Sequence, residues 1–583
     1  MIHVGVCRID WRDRLCTCVL VLCITSLLAT EPLLAGPGRS SDSADGVAEF
    51  VDLSLLVGTD YPCTWPQEFP LFHFNHYRSI GALSPYNIDI LTIDPNTGTQ
   101  MDTPPHSVAL PGSGLPTAGA FGTMFSDRVP AWQFGGEACI VDVRDLRDAA
   151  EPGHSALVRR EHIVAWEKKH RPLRFGDVVF VRSDFSDYYY RPFPEGRRFV
   201  ADPVEGTVPA WPDPDPGCME SLASRGVMAV GTDSPSMGPR PDLAEPTHLA
   251  GLKHGMIFTE GATSLGKLPS TGAFYCMLPP KHAGSGANEG RALAIQPGPV
   301  ATWLIEAARA KRAIDLSVTL GMDVPVSWPG VGIGNQRQPY LKVLFMYSPL
   351  LNSYQQTHVM DSHTGTHLVP PAYSLPAAGF DNRNYSATVQ QWLADYEAQY
   401  GQRGTSDVTT DKVPVSQTCG WARVIDVTHL VGAIAEDKWP ASPEIRPEDI
   451  KKYERESGPL REGDVVIFHS GHTDRYFKAF PQGYACMTDP VNGKSEGWPA
   501  PGPEAIDYLA SRGIRCVATD GPTLGGVDPR RALMTYWALG TRGMVGVEFL
   551  TGVGRLPARA YFLFAAVKIR GGYGGPGRAI AFY

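Results

Sequence analysis

The chain runs through the same order of short motifs twice, so it must build one fold two times. Val51-Asp52-Leu53-Ser54 returns as Ile314-Asp315-Leu316-Ser317, and Trp65-Pro66 returns as Trp328-Pro329. Asn96-Thr97-Gly98-Thr99-Gln100 aligns with His363-Thr364-Gly365-Thr366-His367. Gly176-Asp177-Val178-Val179 returns as Gly463-Asp464-Val465-Val466, and Leu222-Ala223-Ser224-Arg225-Gly226 as Leu509-Ala510-Ser511-Arg512-Gly513. Thr232-Asp233-Ser234-Pro235 is matched by Thr519-Asp520-Gly521-Pro522. The copies close alike, on Arg291-Ala292-Leu293-Ala294-Ile295 and Arg578-Ala579-Ile580-Ala581-Phe582. A repeat this long is one large domain per copy rather than a solenoid unit. Copy one is assigned to 46–298 and copy two to 313–583. Residues 299–312, rich in helix formers, read as a short helical connector.

Within each copy, Asp177–Val181 and Asp464–Phe468 are short β-branched runs, as expected of buried strands. Residues 216–225 and 503–512 have helical spacing, with proline at the start and glycine just past the end. Residues 227–231 and 514–518 then read as strands. Helix followed by strand in both copies predicts an α/β fold.

Composition narrows the partners. With 43% hydrophobic and 19% charged residues, the chain can build large cores. A net charge of -9 and the lack of any long Lys/Arg block argue against a nucleic-acid backbone as partner. Arg12 and Arg14 precede an apolar run from Leu15 to Leu28, followed by small residues such as Ala35 and Gly36. That is the order of a secretory leader, and the run is shorter than the roughly 20 residues that span a bilayer. Residues 1–36 are therefore expected to be a signal peptide, or a retained signal anchor, and the protein to enter the secretory pathway. No other run suits a membrane span. Four of the eleven cysteines lie in this leader and seven beyond it, with no Cys-x-x-Cys pair, so a cysteine zinc site is not expected. A secreted location would permit disulfides. It would also make the sequon Asn384-Tyr385-Ser386 a glycosylation site. Phe72, His73, Phe74 and His76 form an aromatic and histidine-rich segment, read as packing within a loop.

The segment that carries chemistry is His363-Thr364-Gly365-Thr366-His367. On an extended chain residues 363, 365 and 367 share a face. Two imidazoles flanking a glycine leave room for an ion, and a carboxylate would complete the set. By itself, a pair of histidines at this spacing is as readily a hydrogen-bonded structural feature. The surrounding motifs tip the balance. This segment and the proline-rich turn after it resemble the cyclase family, whose signature is His-x-Gly-Thr-His-x-Asp-x-Pro-x-His and which includes bacterial-type kynurenine formamidase and isatin hydrolase. The Asp-Leu-Ser opening, the Gly-Asp-Val-Val strand, the Leu-Ala-Ser-Arg-Gly helix end, the Thr-Asp-x-Pro strand end and the closing Arg-Ala-Ile-Ala extend the resemblance over nearly all of both copies. It implies two tandem swivelling β/β/α domains and a divalent metal, Zn or Mn, used to hydrolyse amides of cyclic or aryl substrates. It also implies that the two domains pair within one chain as separate subunits do in the family.

Carried over residue by residue, the resemblance divides the motif between the copies. Copy two matches both signature histidines with His363 and His367, and Glu548 matches a later glutamate ligand. Val369 stands at the signature aspartate, Tyr373 at the final histidine, and Tyr536 where a later histidine ligand is expected. Copy one reverses the losses. Asn96 and Gln100 replace the histidine pair, Asp102, Pro104 and His106 match, and His248 and Glu260 align with the later ligands. The oxygen-rich set of copy one favours Mn, Mg or Ca, with His106 as acid/base; the His363, His367, Glu548 set can hold zinc. Trp65 and Trp328 read as core residues, and the resemblance adds the wall of an aromatic-accepting pocket. Each site residue has a structural alternative, such as Asp102 capping the Thr103-Pro104-Pro105 turn or the two glutamates sitting in ion pairs. The functional expectation is a metal-dependent hydrolase of an amide or lactone in a small substrate. The alternatives are a non-catalytic binding protein with degenerate metal sites and a cyclase-type step in biosynthesis.

Overall fold

A computed structural model describes residues 48–66, 71–329, 339–348 and 353–583. The leader at 1–36 lies outside the described residues.

Both copies centre on four parallel strands. In copy one these are Gly135–Asp142, Asp177–Arg182, Ala229–Thr232 and Ile257–Glu260. In copy two they are Cys419–Asp426, Val465–His469, Cys516–Thr519 and Val545–Glu548. Their middles are near-continuous apolar runs because both faces are covered: Val178 to Val181 and Val465 to Phe468 are all buried. Copy one's covering helices include Arg160–Lys169, Pro216–Ala223 and Ala244–Leu252; copy two's include Pro447–Ser457, Pro503–Ser511 and Pro529–Thr541. Proline opens Pro216–Ala223, where the Asp215 side chain accepts the Cys218 N–H and caps it. These are the predicted α/β elements. Copy two also carries a helix at Ala387–Tyr400, whereas residues 107–130 of copy one contain none.

Each sheet continues with antiparallel strands. In copy two, Tyr561–Ala566 pairs with both Cys419–Asp426 and Gly575–Phe582, and His367–Val369 bridges Gly575–Phe582 to Val545–Glu548. The sheet thereby closes on itself. Copy one follows the same path with an interruption at Gly290, which separates Ala287–Glu289 from Arg291–Ile295.

The two copies are bound together at three levels. The hairpin of His73–Arg78 and Ile88–Ile93 joins the hairpin of Leu341–Ser348 and Ser353–Asp361 in one four-stranded sheet, with Ile93 opposite His358 and Ile90 opposite Asp361. The segment read as loop packing, Phe72 to His76, therefore lies largely on a strand of this shared sheet; no aliphatic alternation marked it because all six strand residues are polar, cationic or aromatic. Behind the barrels, one apolar core draws on both copies, and Phe274 meets Phe582 edge to face at 5.4 Å between ring centres. The predicted connector is the helix Pro299–Arg309, which buries Val300, Ala301, Leu304 and Ile305 in that core.

The third level is a reciprocal charge clasp built from the repeated motifs. Asp52 of the Asp-Leu-Ser opening pairs with Arg291 of its own copy and Lys568 of the other, both at 2.9 Å. Asp315 mirrors it, pairing with Arg578 at 2.7 Å and Lys281 at 2.9 Å. Arg578 is fully buried and lies over the ring of Phe134 across the interface. Burial works against ionising both aspartates, but their cationic partners outweigh it and hold both carboxyls below their ordinary range. The seven cysteines beyond the leader are all buried free thiols, so among the described residues no disulfide supports this assembly.

A depressed folded pKa contributes stability that is present above the unfolded value, about 3.9, and lost as pH falls through the folded one. Urea unfolding should show stability falling as pH drops below about 4. Asp52→Asn should cost about 2 kcal/mol or more at pH 7, because it leaves two partly buried cations facing each other, and should flatten the acid limb of that profile.

Candidate functional site

The antiparallel strand that carries the motif sets the site in each copy. Gln100–Asp102 runs beside Ile257–Glu260 with Gln100 opposite Glu260. His367–Val369 runs beside Val545–Glu548 with His367 opposite Glu548. Directly opposed residues project to the same face, so the motif and the later glutamate meet in both copies through one register. A helix then adds a third group from above: His248 from Ala244–Leu252 in copy one and Tyr536 from Pro529–Thr541 in copy two.

In copy one this produces a buried charge cluster. His248 Nε2 lies 3.4 Å from Asp102 and 3.3 Å from Glu260, and His106 Nδ1 lies 3.8 Å from Asp102. Among the described residues, Asp102, His106 and His248 form the group whose ligand atoms all lie within 4.8 Å of one another. Gln100 donates its amide to the other Glu260 oxygen. Asn96 is not part of the cluster; its amide donates to Asp94 at 2.9 Å. A further carboxyl, Asp213, is bonded by Thr232, Ser234 and the Gly238 N–H. Burial raises its pKa well above the usual range, and Glu260 adds to the shift.

The electrostatics of the cluster fit a cation. Burial opposes a charge on His248, yet Asp102 and Glu260 outweigh it and hold the imidazole protonated well above its usual range. Burial, then the His248 charge, pushes His106 down to about 4. Burial raises Glu260, and Asp102 adds to that. Both oxygens of Asp102 are buried and make no close hydrogen bond, their nearest partners being the His248 and His106 imidazoles at 3.4 and 3.8 Å; a divalent ion in place of the His248 proton would satisfy them more fully. Bonds of about 2.0–2.2 Å to a tetrahedral ion place ligand atoms roughly 3.3–3.6 Å apart, and the observed spacings fall at or near that range. Beside the cluster, Asn96, Gln100 and Trp65 bound a separate hollow of about 20 Å³, the size of one water.

Copy two has the opposite character. A cavity of about 630 Å³ opens over its motif, with His363, His367, Glu548 and Tyr536 on the wall. His367 Nε2 lies 3.0 Å from one Glu548 oxygen, and the other oxygen accepts the Tyr536 hydroxyl at 2.7 Å and the Leu524 N–H at 2.6 Å. His367 Nδ1 is held by the Gly365 carbonyl at 2.7 Å, and His363 Nδ1 by Asp361 at 3.3 Å. Fixing Nδ1 with an oxygen acceptor is how proteins direct Nε2 toward a metal. His363 and His367 meet at 5.1 Å between ring centres, and His363 packs on Tyr373 at 4.5 Å. Trp328 lines this cavity, and its counterpart Trp65 packs edge to face on Trp211 at 6.2 Å between ring centres.

His106 and the copy-one ligands do not line the copy-two cavity. The complementary halves of the motif are therefore two separate sites and not one shared centre, because each register joins a motif strand to the glutamate of its own copy. Sequence reasoning missed what copy one gives to the copy-two cavity. Leu83, Tyr86 and Ile88 line it, Tyr86 stacks on Tyr373 at 4.7 Å, and Asn87 donates to the Ala372 carbonyl at 2.8 Å. The aromatic run through residues 72–86 was the available signal.

Residues 51–239 and 314–525 both match the Cyclase family model. The chain belongs to the Cyclase family, in two tandem copies. It is 29% identical over 174 residues to an isatin hydrolase of Roseibium aggregatum, a match covering 28% of this chain and 63% of that protein, which is less than two thirds of its length. An isatin hydrolase bound to the product analogue thioisatinate aligns at 20% identity and a TM-score of 0.36, over 43% of this chain and 93% of that one. An isatin hydrolase A from Ralstonia solanacearum aligns at 20% identity and a TM-score of 0.35, over 49% and 97%.

If the copy-one cluster holds a divalent ion, calorimetric titration with Mn should show a site that Asp102→Ala weakens by 100-fold or more. The same ion should raise the melting temperature of the wild type and not of Asp102→Ala.

Proposed function

We propose that this Cyclase-family chain is a metal-dependent hydrolase that opens an amide or lactone bond in a small aryl or cyclic substrate, and that the substrate binds in the copy-two cavity. The observation that carries this reading is the 630 Å³ cavity with His363, His367 and Glu548 on its wall. It is the motif-bearing hollow large enough for an organic molecule, and its volume falls within the ~300–1,000 Å³ of small-molecule sites. Isatin hydrolysis by the Roseibium relative makes a cyclic aryl amide the first substrate class to test.

A divalent ion held by His363, His367 and Glu548 would supply Lewis acidity toward a carbonyl and lower the pKa of water. The chain supplies the rest. Asp361 and the Gly365 carbonyl orient the two imidazoles. Tyr536 holds Glu548 in place through its hydroxyl. Trp328 and Tyr86 offer flat apolar surfaces to an aryl ring. Copy one acts as a metal-loaded structural half that completes the cavity wall. The charged-then-apolar-then-small order of residues 1–36 supports export from the cell.

A specific observation favours a second reading, ligand binding without turnover. Tyr373 stands at the signature's final histidine, stacks on Tyr86 and packs at a tilt against His363, and tyrosine is a poor base at neutral pH. Metal analysis and hydrolysis of isatin and N-formylkynurenine with added Mn or Zn distinguish the two. The hydrolase reading expects turnover in the wild type and its loss in His367→Ala. Bound metal with no turnover of either compound would favour the binder. Under the hydrolase reading, Tyr373→His should raise kcat about 100-fold by returning an imidazole base to the motif.

A further inference from the structure

The copy-two cavity is far larger than its polar end requires. His363, His367, Tyr373, Tyr536 and Glu548 touch one another as one group. Most of the remaining wall is apolar, including Val326, Val389, Trp392, Met487 and Val491; Arg78 and Asp528 are its other charged side chains. A single fused bicycle seated against the imidazoles would leave most of 630 Å³ unfilled. Three separate elements make this outer wall. Ser386, Thr388, Val389 and Trp392 come from the start of the helix Ala387–Tyr400, which copy one lacks. Met487 and Val491 come from the segment around Thr488–Val491. Leu83 comes from copy one, on a turn closed by the Gly81 N–H to the Ser84 carbonyl at 2.8 Å.

Leu83 is the most informative of these. It is 95% exposed, the largest exposure among the apolar side chains of the described residues, yet it sits on the cavity wall. Its turn is rigidly placed. Asn87 accepts the Ile80 N–H at 2.9 Å, and it is strapped to copy two through the Ala372 and Tyr373 carbonyls, both at 2.8 Å. A leucine fixed in water at the mouth of an apolar cavity gains burial when an apolar ligand reaches it.

We propose that this cavity takes an amphiphilic aryl amide or lactone: a reacting polar head at His363, His367 and Glu548, and an extended apolar body running past Trp392 and Val491 to Leu83. This deepens the hydrolase reading by naming a substrate class larger than a single bicycle, and it rests on that reading for the chemistry of the head. Water adds across the amide: its hydroxyl goes to the acyl carbon, the C–N bond breaks, and the proton goes to the leaving nitrogen.

The test is a chain-length series of formanilide, 4-butylformanilide and 4-octylformanilide, assayed on the metal-loaded full chain. Hydrolysis yields formate and the aniline. Binding of each compound is read in parallel by quenching of tryptophan fluorescence, since Trp328 and Trp392 line the cavity. Four fully buried methylenes are worth roughly 200-fold, so at least a tenfold gain from formanilide to the butyl compound is expected in kcat/KM or in 1/Kd. Leu83→Asp, a surface change that leaves the core intact, should cut the octyl-to-parent ratio several-fold, and Trp392→Ala should cut it further. A ratio within threefold of one in the wild type overturns the inference while leaving a hydrolase of small amides standing. A chain-length gain in binding with no turnover of any compound would uphold the amphiphile site and sink the hydrolase reading instead.

Discussion

The structure depends on each copy covering what the other leaves open. Each closed sheet has an apolar back, and each throws out a hairpin with no partner of its own. Residues 88–93 and 353–361 meet edge to edge, and the backs share one core through Phe274 and Phe582. Unpaired strand edges and bare apolar faces are what folded chains eliminate first. Pairing therefore precedes function here. The clasp of Asp52 and Asp315 adds charge to the same dependence, since each aspartate pairs with an arginine of its own copy and a lysine of the other.

Over one shared backbone register the two copies carry different side chains. Position by position, copy one keeps a carboxylate or an imidazole where copy two has an apolar or phenolic side chain: Asp102 against Val369, His106 against Tyr373, His248 against Tyr536. The buried Asp213 likewise corresponds to Ala500 in the other copy. The chemistry follows. Copy one packs carboxylates and imidazoles within the spacing of a candidate ion site. Copy two gives up those charges, keeps two imidazoles and one carboxylate, and surrounds them with aromatic rings. The helix Ala387–Tyr400 and the turn carrying Leu83 then wall off an organic-sized space.

Tyr536 illustrates how conservatively the site was remodelled. It reaches Glu548 from the same helix position from which His248 reaches Glu260. A hydroxyl replaces an imidazole as the group that positions the glutamate, so the carboxylate stays in place although the imidazole is absent. Asp361 and Asp94 act similarly: each binds the first motif residue, His363 or Asn96, by its backbone N–H.

The sequence by itself determined the repeat, the α/β class, the central strands and the identity of the motif residues. Those features are local: β-branched runs, proline and glycine at helix ends, and short motifs recurring in order. It also placed Asp102, His248 and Glu260 in one set, because the family pattern encodes a register that the fold then realises. It did not reveal that Asn96 turns to Asp94, that His106 and His367 serve separate sites, or that Leu83 and Tyr86 of copy one finish the cavity of copy two. Those outcomes depend on contacts between residues hundreds of positions apart. They depend also on volume, which no motif records: the hollow beside Asn96 and Gln100 has about 20 Å³ and the cavity beside His363 and His367 about 630 Å³. Only the packed tertiary structure decides which of two similar motifs can admit a molecule.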